Sequence, residues 1–375
     1  MIINRPPMGW NSWNTFGEEI NEDVVKESAD ALVSTGLKDA GYEYVVIDDC
    51  WSLRERDENG NLVADPKKFP SGMKALADYV HSKGLKFGMY SCAGTQTCAG
   101  YPGSFNHEFQ DAKTFASWGV DYLKYDYCYR PGTANGPLLY QKMGIALREC
   151  GRDILFSACN WGSDDVWSWI RATGAHCYRS TGDLGDNFNG MKDICKSQLS
   201  KQCFNAPNCF NDVDMLIVGM YNKGNVGWGG CTDQEYWMHF GMWCMLSSPL
   251  MIGADVRNLS EEALKILKCK GLIAINQDPE CRQTIPIPNS VGGDYVSLYK
   301  IVEDGYVFGF FNFTENHQGG VFYLTDIGLG TESGYGLQLT NVVTGDVLPV
   351  IKDDWRCQLA PHTSAVFKAK VVPIR

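Results

Sequence analysis

The sequence predicts an α/β chain: a (β/α)8 TIM barrel over residues 1–279, then a C-terminal antiparallel β-sandwich over residues 280–375. Three observations carry this prediction. Eight short apolar runs, most of them separated by a helical pattern, fill the first two-thirds of the chain. Eight βα units in about 275 residues fit the usual size of such a barrel, about 250 residues. After residue 279 the helical patterns stop, and short alternating runs divided by turn residues take over.

The elements follow in order. "MGWNSW" is the first strand. Asn21 can cap the next helix, Glu22 and Asp23 suit its first turn, and Val25, Ala29, Leu32 and Val33 form its apolar stripe. "YEYVVIDD" is a continuous apolar run, as expected of a strand buried on both faces, and it ends in Asp48 and Asp49. "SGMKALADYVHSKG" reads as a helix closed by Gly84. The strand "LKFGMYS", a helix around Ala112–Trp118, the strand "VDYLKYD", a helix near Leu138–Cys150 and the strand "DILFSACNW" come next. "HCYRSTGD", "DMLIVG" and "PLMIGAD" complete the eight. In the tail, "DYVSLYKI", "GYVFGFFNF", "GGVFYLT", "YGLQLTNVVTGDVLPV" and "SAVFKAKVV" are the sandwich strands, with "FGFFNF" read as core rather than as a polysaccharide-binding face. An open doubly wound sheet is the alternative, but no glycine fingerprint for a dinucleotide follows the first strand.

Composition narrows the function. A net charge of −11 argues against nucleic acid or an anionic membrane as partner. No apolar run reaches the roughly 18 residues of a membrane span. The start shows no secretory leader, which leads to a cytoplasmic expectation, or a secreted one if the chain is trimmed. The 15 cysteines include no CxxC pair, and most are read as buried thiols of a reducing compartment. The six histidines show no ligand spacing, so no metal and no cofactor is expected. No GxSxG nucleophile elbow is present. The expected partner is a small molecule; oligomeric state stays open, and a homodimer is compatible.

Barrel chemistry sits at the C-terminal ends of the strands. Trp10, Trp13, Asp48, Asp49, Trp51, Tyr90, Lys124, Asp126, Asn160, Trp161, Arg179, Asp183, Asp212 and Asp214 stand there. Carboxylates accept hydrogen bonds from hydroxyls, and aromatic faces cover the C–H face of a pyranose, so this set suits a sugar. Cleaving a glycosidic bond takes two carboxyl groups, one ionised and one protonated. Lys124 and Asp126 project to the same side of their strand, so the ammonium is expected to keep Asp126 ionised as nucleophile. Asp183 is the candidate proton donor, its pKa expected to be raised by apolar walls or by Asp126.

The motifs "PPMGWNSWNTF" (6–16), "YVVIDDCW" (44–51), "TCAGYPGSF" (97–105), "WGVDYLKYDYC" (118–128), "CNWG" (159–162), "YRSTGD" (178–183), "NDVDML" (211–216) and "SPLMIGADVRN…AINQDP" (248–279) stand in one order. In them the chain resembles glycoside hydrolase family 27, the melibiase-like family of α-galactosidases and α-N-acetylgalactosaminidases, over essentially its full length. The resemblance implies a (β/α)8 barrel and a retaining mechanism through a covalent glycosyl-enzyme. It implies Asp126 as nucleophile and Asp183 as acid/base, with the two carboxyl groups about 5–5.5 Å apart. Asp48 and Asp49 resemble the pair that grips the 4- and 6-hydroxyls of galactose, and Trp13 the aromatic wall. Tyr90 and Lys124 would flank the sugar, and Arg179 would face its 2-hydroxyl side. Cys128, Asn160, Trp161 and Asp214 complete the implied substrate-binding set. The resemblance also implies a Cys98–Cys128 disulfide, and Cys159 with Cys177 as a second.

Three positions depart from the family pattern. "GEEINED" follows the first motif where a cysteine partner for Cys50 is expected. Asn160 and Ser163 stand in the loop that recognises the 2-position, which keeps an α-N-acetylgalactosaminidase open. Val213 stands where the family's "D-P-D-M" has proline. A β-L-arabinopyranosidase on the same scaffold stays open too. A carbohydrate-binding relic is disfavoured, because both catalytic acids are retained.

Overall fold

A computed structural model describes residues 3–287 and 293–374. Eight strands form the barrel: β1 (Met8–Asn11), β2 (Tyr44–Val46), β3 (Lys86–Cys92), β4 (Tyr122–Asp126), β5 (Leu155–Cys159), β6 (Cys177–Arg179), β7 (Phe210–Asp212) and β8 (Leu250–Ile252). All neighbours are parallel, in the order β7-β6-β5-β4-β3-β2-β1-β8. The ring closes where Leu216 bridges Ile252: the Leu216 amide donates to the Met251 carbonyl at 2.8 Å, and the Gly253 amide to the Leu216 carbonyl at 2.9 Å. "DMLIVG" is therefore not the seventh strand, which lies just upstream. Asp214 has φ of 89°, and this left-handed turn ends the extended chain before Leu216 can continue it.

Helices cover the barrel as the apolar stripes require. Asn21 caps Glu22–Ser34 by accepting from the Val24 amide. Gly72–Ser82, Glu108–Trp118 and Gly136–Glu149 follow β2, β3 and β4. Asp233–Met245 opens with a capping box between Thr232 and Glu235 and is buried on nearly every side. Its second burial partner is the C-terminal domain.

That domain contains β9 (Ile285–Pro286), β10 (Tyr295–Val302), β11 (Gly305–Asn312), β12 (Gln318–Tyr323), β13 (Tyr335–Asn341), β14 (Asp354–Leu359) and β15 (Thr363–Pro373). An antiparallel sheet in the order β13-β15-β11-β10-β9 packs on a two-stranded β12-β14 layer. Only the first half of "YGLQLTNVVTGDVLPV" is strand. The run Asp354–Leu359, in which Trp355, Cys357 and Leu359 alternate with polar residues, is a further strand that the sequence reading left out although its period-two pattern is present. The five-stranded sheet is buried on both faces. Phe308 and Phe310 join Phe322 and Phe367 inside the sandwich, whereas Val307, Phe311 and Phe313 join the barrel core. The aromatic run in β11 is thus consumed by packing on its two sides.

Lys300 lies on the barrel-facing stripe of β10, with Val296, Leu298 and Val302. It is fully buried, and its Nζ donates to Ser247 Oγ at 2.6 Å and to the Ile275 carbonyl at 2.8 Å. Burial pulls its pKa down to about 8.

The Cys98–Cys128 disulfide forms, with Cα atoms 5.2 Å apart. The other thirteen cysteines are free, Cys50 among them. The second implied bridge does not form. Register pairs Cys177 with Ser157 and Cys159 with Arg179, so the two thiols stand two rungs apart. Strand rise and spacing then put their Cα atoms about 8 Å from each other, beyond disulfide reach. Among the described residues no helix is long and apolar enough to cross a membrane.

Two outcomes follow from this interior. Thiol titration in denaturant without reductant yields thirteen thiols, and in the native protein the exposed Cys203 reacts first. A count of 15 would rule out the Cys98–Cys128 bond. The Lys300→Met variant separates charge burial from packing. Between pH 8 and the unfolded lysine value of about 10.4, the unfolded chain binds the extra proton, so this group's contribution to stability rises with pH across that window. The variant lacks this dependence. Relative to wild type it is therefore stabilised more at pH 6.5 than at pH 10, by roughly 3 kcal/mol or less, in paired denaturant titrations. A difference that does not change with pH contradicts the buried cation.

Candidate active site

The barrel register brings the chemistry to one level. Tyr90 pairs with Lys124 and Cys92 with Asp126; Cys159 pairs with Arg179, and Arg179 with Asp212. Alternation then turns Lys124 and Asp126 to the same side, at the mouth of the barrel. A cavity of about 270 Å³ opens there, a volume suited to a single sugar ring rather than a drug-sized ligand. Trp13, Asp48, Asp49, Tyr90, Lys124, Asp126, Trp161, Arg179, Asp183 and Asp214 all line it.

The floor is a buried charge cluster. Asp48 Oδ2 accepts from Lys124 Nζ at 2.8 Å and from Asn11 Nδ2 at 2.7 Å. Its backbone amide donates to Ser12 Oγ at 3.0 Å, which ties the β2 loop to the β1 turn. Asp49 accepts from the Cys50 amide at 2.7 Å and from the Ala99 amide at 3.0 Å. Burial pushes the Asp49 carboxyl up, against these hydrogen bonds. Burial opposes the charge of Lys124, but the carboxylate of Asp48 holds its pKa above the usual lysine value.

Asp126 ends β4 and is 6% exposed. One oxygen accepts from the Tyr127 amide at 2.9 Å, the other from the Tyr90 hydroxyl at 2.9 Å. Burial raises its pKa to about 6, although Lys124, the Tyr127 amide and Tyr90 all pull it down. The expectation that the ammonium dominates is corrected here: Lys124 is engaged with Asp48, and desolvation is the larger effect on Asp126.

Arg179 holds the opposite wall. It meets Asp214 at 2.7 Å and Asp183 at 3.0 Å, and donates to the Gly182 carbonyl at 2.6 Å. Asp214 also accepts from the Leu184 amide at 2.6 Å, so one carboxylate fixes both the arginine and the 182–184 turn. Burial raises the Asp214 carboxyl to about 6, against the pull of Arg179. Asp183 itself is different. Its side chain is 72% exposed, and no apolar wall encloses it, contrary to the sequence expectation. Of the two candidate catalytic acids, the carboxyl lifted by burial is Asp126.

Other predicted positions separate. Trp10 and Trp51 are core residues, their indoles donating to the Ala254 and Tyr90 carbonyls. Asn160 is buried, donates to the Ser163 carbonyl at 2.9 Å and does not face the cavity; its neighbours Cys159 and Trp161 do. Cys128 reaches the site through its bond to Cys98, which lines the cavity. Val213 donates its amide to Ser248 Oγ at 3.1 Å, a bond that proline cannot make. Sequence reasoning missed Asn11 beneath Asp48, as well as Asn14, Leu184, Met215, Asn225, Val226 and Trp228 on the wall. The last three belong to the glycine-rich run "NKGNVGWGG", whose composition shows only that it turns.

Residues 5–278 match the Melibiase_2 family, described as alpha galactosidase A. The alpha-galactosidase of Cyamopsis tetragonoloba is 50% identical over 274 residues, 73% of this chain and 64% of that protein, so the chain spans somewhat less than two-thirds of that relative. Alpha-galactosidase I from Mortierella vinacea is 32% identical and superposes with a TM-score of 0.89 over 100% of this chain and 99% of its own. The alpha-galactosidase of Saccharomyces cerevisiae, solved with raffinose, is 28% identical with a TM-score of 0.88 over 98% of each chain. The shared barrel, and a family match that contains every residue of the cavity wall, identify the chain as a member of the alpha galactosidase A family.

Proposed function

We propose that the chain is a retaining α-galactosidase that hydrolyses terminal, non-reducing α-linked galactose. One observation carries this reading: a single-ring cavity holds two carboxyl groups in unlike surroundings, Asp126 buried on the floor side and Asp183 exposed at the mouth. Asp48, Asp49 and Lys124 present acceptors and a donor to the far end of the ring, where O4 and O6 of galactose would lie. Asp126 attacks the anomeric carbon while Asp183 protonates the departing oxygen. Asp183 then takes the proton from the water that cleaves the glycosyl-enzyme. The exposed position suits this second role, since leaving group and water both pass there. Tyr90 and the Tyr127 amide favour the carboxylate form that Asp126 regains as the ester breaks.

The N-acetyl alternative drew on the loop of Asn160 and the small Ser163; neither residue lines the cavity, and the Asn160 amide is held by the Ser163 carbonyl. An aryl α-galactoside is accordingly turned over at least about 100-fold faster than the aryl α-N-acetylgalactosaminide; equal rates would overturn the substrate assignment. A reducing compartment is proposed on the thirteen unpaired thiols.

Three measurements test the mechanism. Early proton NMR of a hydrolysis shows α-galactose first; β-galactose first would exclude retention. Asp126→Ala is nearly dead on every substrate, and azide restores it with a β-galactosyl azide. Asp183→Ala loses roughly 10²–10⁴-fold on α-1,6-linked sugars and much less on activated aryl galactosides, with azide giving the α-azide. Swapped azide anomers would exchange the two roles. The pH profile of kcat/KM has an acid limb near 6, because Asp126 must be ionised to attack. Lys124 lowers that pKa, so Lys124→Met moves the limb to higher pH. A limb that stays in place, or moves down, contradicts the assignment.

A further inference from the structure

The burial gradient of the cavity orients the substrate. Asp48 and Asp49 are almost wholly enclosed, so the non-reducing ring enters with O4 and O6 down. Asp183 marks the glycosidic oxygen, and beyond it the leaving group can only point out of the mouth. A large aromatic side chain stands on that side. Trp228 is 57% exposed and lines the same cavity. Its six-membered ring packs directly on Gly185, two residues after Asp183: a Cβ placed there would lie 2.1 Å from the indole. Glycine at 185 thus lets the indole come down onto the turn that carries the proton donor.

The loop holding Trp228 is braced from two sides. Asp186 accepts from the Asn222 amide at 2.8 Å, the Cys231 amide at 3.1 Å and the Tyr236 hydroxyl at 2.9 Å. Its own amide donates to the Val226 carbonyl at 2.9 Å, and its carbonyl accepts from the Gly230 amide at 2.7 Å. On the other side, the Asn225 amide donates to the Asn14 carbonyl at 2.8 Å, joining the loop to the turn after β1 that bears Trp13. An exposed indole on a loop fixed this firmly is a preformed surface that costs little conformational entropy to use.

We infer that Trp228 is the platform for the leaving-group sugar: a specificity residue that stacks on the first ring beyond the scissile bond and favours galactosides with a sugar aglycone. The inference rests on the α-galactosidase reading and on Asp183 as proton donor. A sugar ring offers a C–H face to the indole; fluoride as leaving group offers nothing. Removing the platform therefore acts only on substrates that carry that ring.

The experiment compares kcat/KM for an α-1,6-linked galactosyl disaccharide and for α-galactosyl fluoride in wild type, Trp228→Ala and Trp228→Phe. The disaccharide-to-fluoride ratio falls about tenfold in Trp228→Ala, as expected for the loss of one ring contact. Trp228→Phe keeps most of the ratio. In Trp228→Ala, added sugar acceptors also capture less of the glycosyl-enzyme relative to water, a readout that a purely structural role does not move. An unchanged ratio in Trp228→Ala overturns the platform; so does an equal loss on both substrates, and so does a lowered ratio with unchanged acceptor capture, which marks a disturbed Asp183 turn instead. If wild type cleaves neither galactoside, the α-galactosidase reading itself fails, an outcome distinct from an unchanged ratio in an active enzyme.

Discussion

The ion pair between Lys124 and Asp48, 2.8 Å long and buried in the barrel mouth, is the contact on which the rest of the site depends. Two charges in such a place are tolerable only together; removing either partner from a buried pair typically costs about 3–5 kcal/mol. The pair joins β4 to the loop after β2, and Asn11 adds β1 to the same carboxylate. Three strand ends are thereby fixed at one height. Asp126 lies buried beside the pair, and desolvation raises its pKa although Lys124 pulls it down.

A second buried cation repeats the logic on the opposite wall. Arg179 is shared between Asp214 and Asp183, but the two acids meet different amounts of water. Asp214 is a strut that positions Arg179 and the 182–184 turn. Asp183 keeps one contact to the arginine and otherwise faces solvent. The two walls give one barrel a carboxyl group stripped of water and another in reach of it, the asymmetry that two-carboxylate hydrolysis uses.

The C-terminal domain is not an appendage with a separate interior. One face of its larger sheet completes the packing of the helix Asp233–Met245, and Lys300 projects from that sheet to the Ser247 hydroxyl and the Ile275 carbonyl of the barrel. The same helix supplies Tyr236 to Asp186 and Trp243 to the Asp214 carbonyl. Sandwich, helix and active-site loops are therefore connected by packed side chains and short hydrogen bonds.

The barrel, the sandwich and most of the candidate site are legible in local sequence pattern. Continuous apolar runs such as "YVVIDD", short and rich in β-branched residues, read as strands covered on both faces, and the end of each run marks where a polar residue meets the mouth. That is why Asp48, Asp49, Lys124, Asp126, Arg179 and Asp183 were legible as one set. Tertiary structure decided what local pattern does not encode. The positive φ at Asp214 moved the seventh strand and left Leu216 to close the ring. The two-rung offset of Cys159 and Cys177 kept both thiols free. Which neighbour takes the charge of Lys124, and how much water reaches Asp183, are set by residues far apart in the chain. The place of Trp228 at the mouth depends on Asp186 gathering a loop some forty residues downstream, because hydrogen bonds of that range leave no period in the sequence.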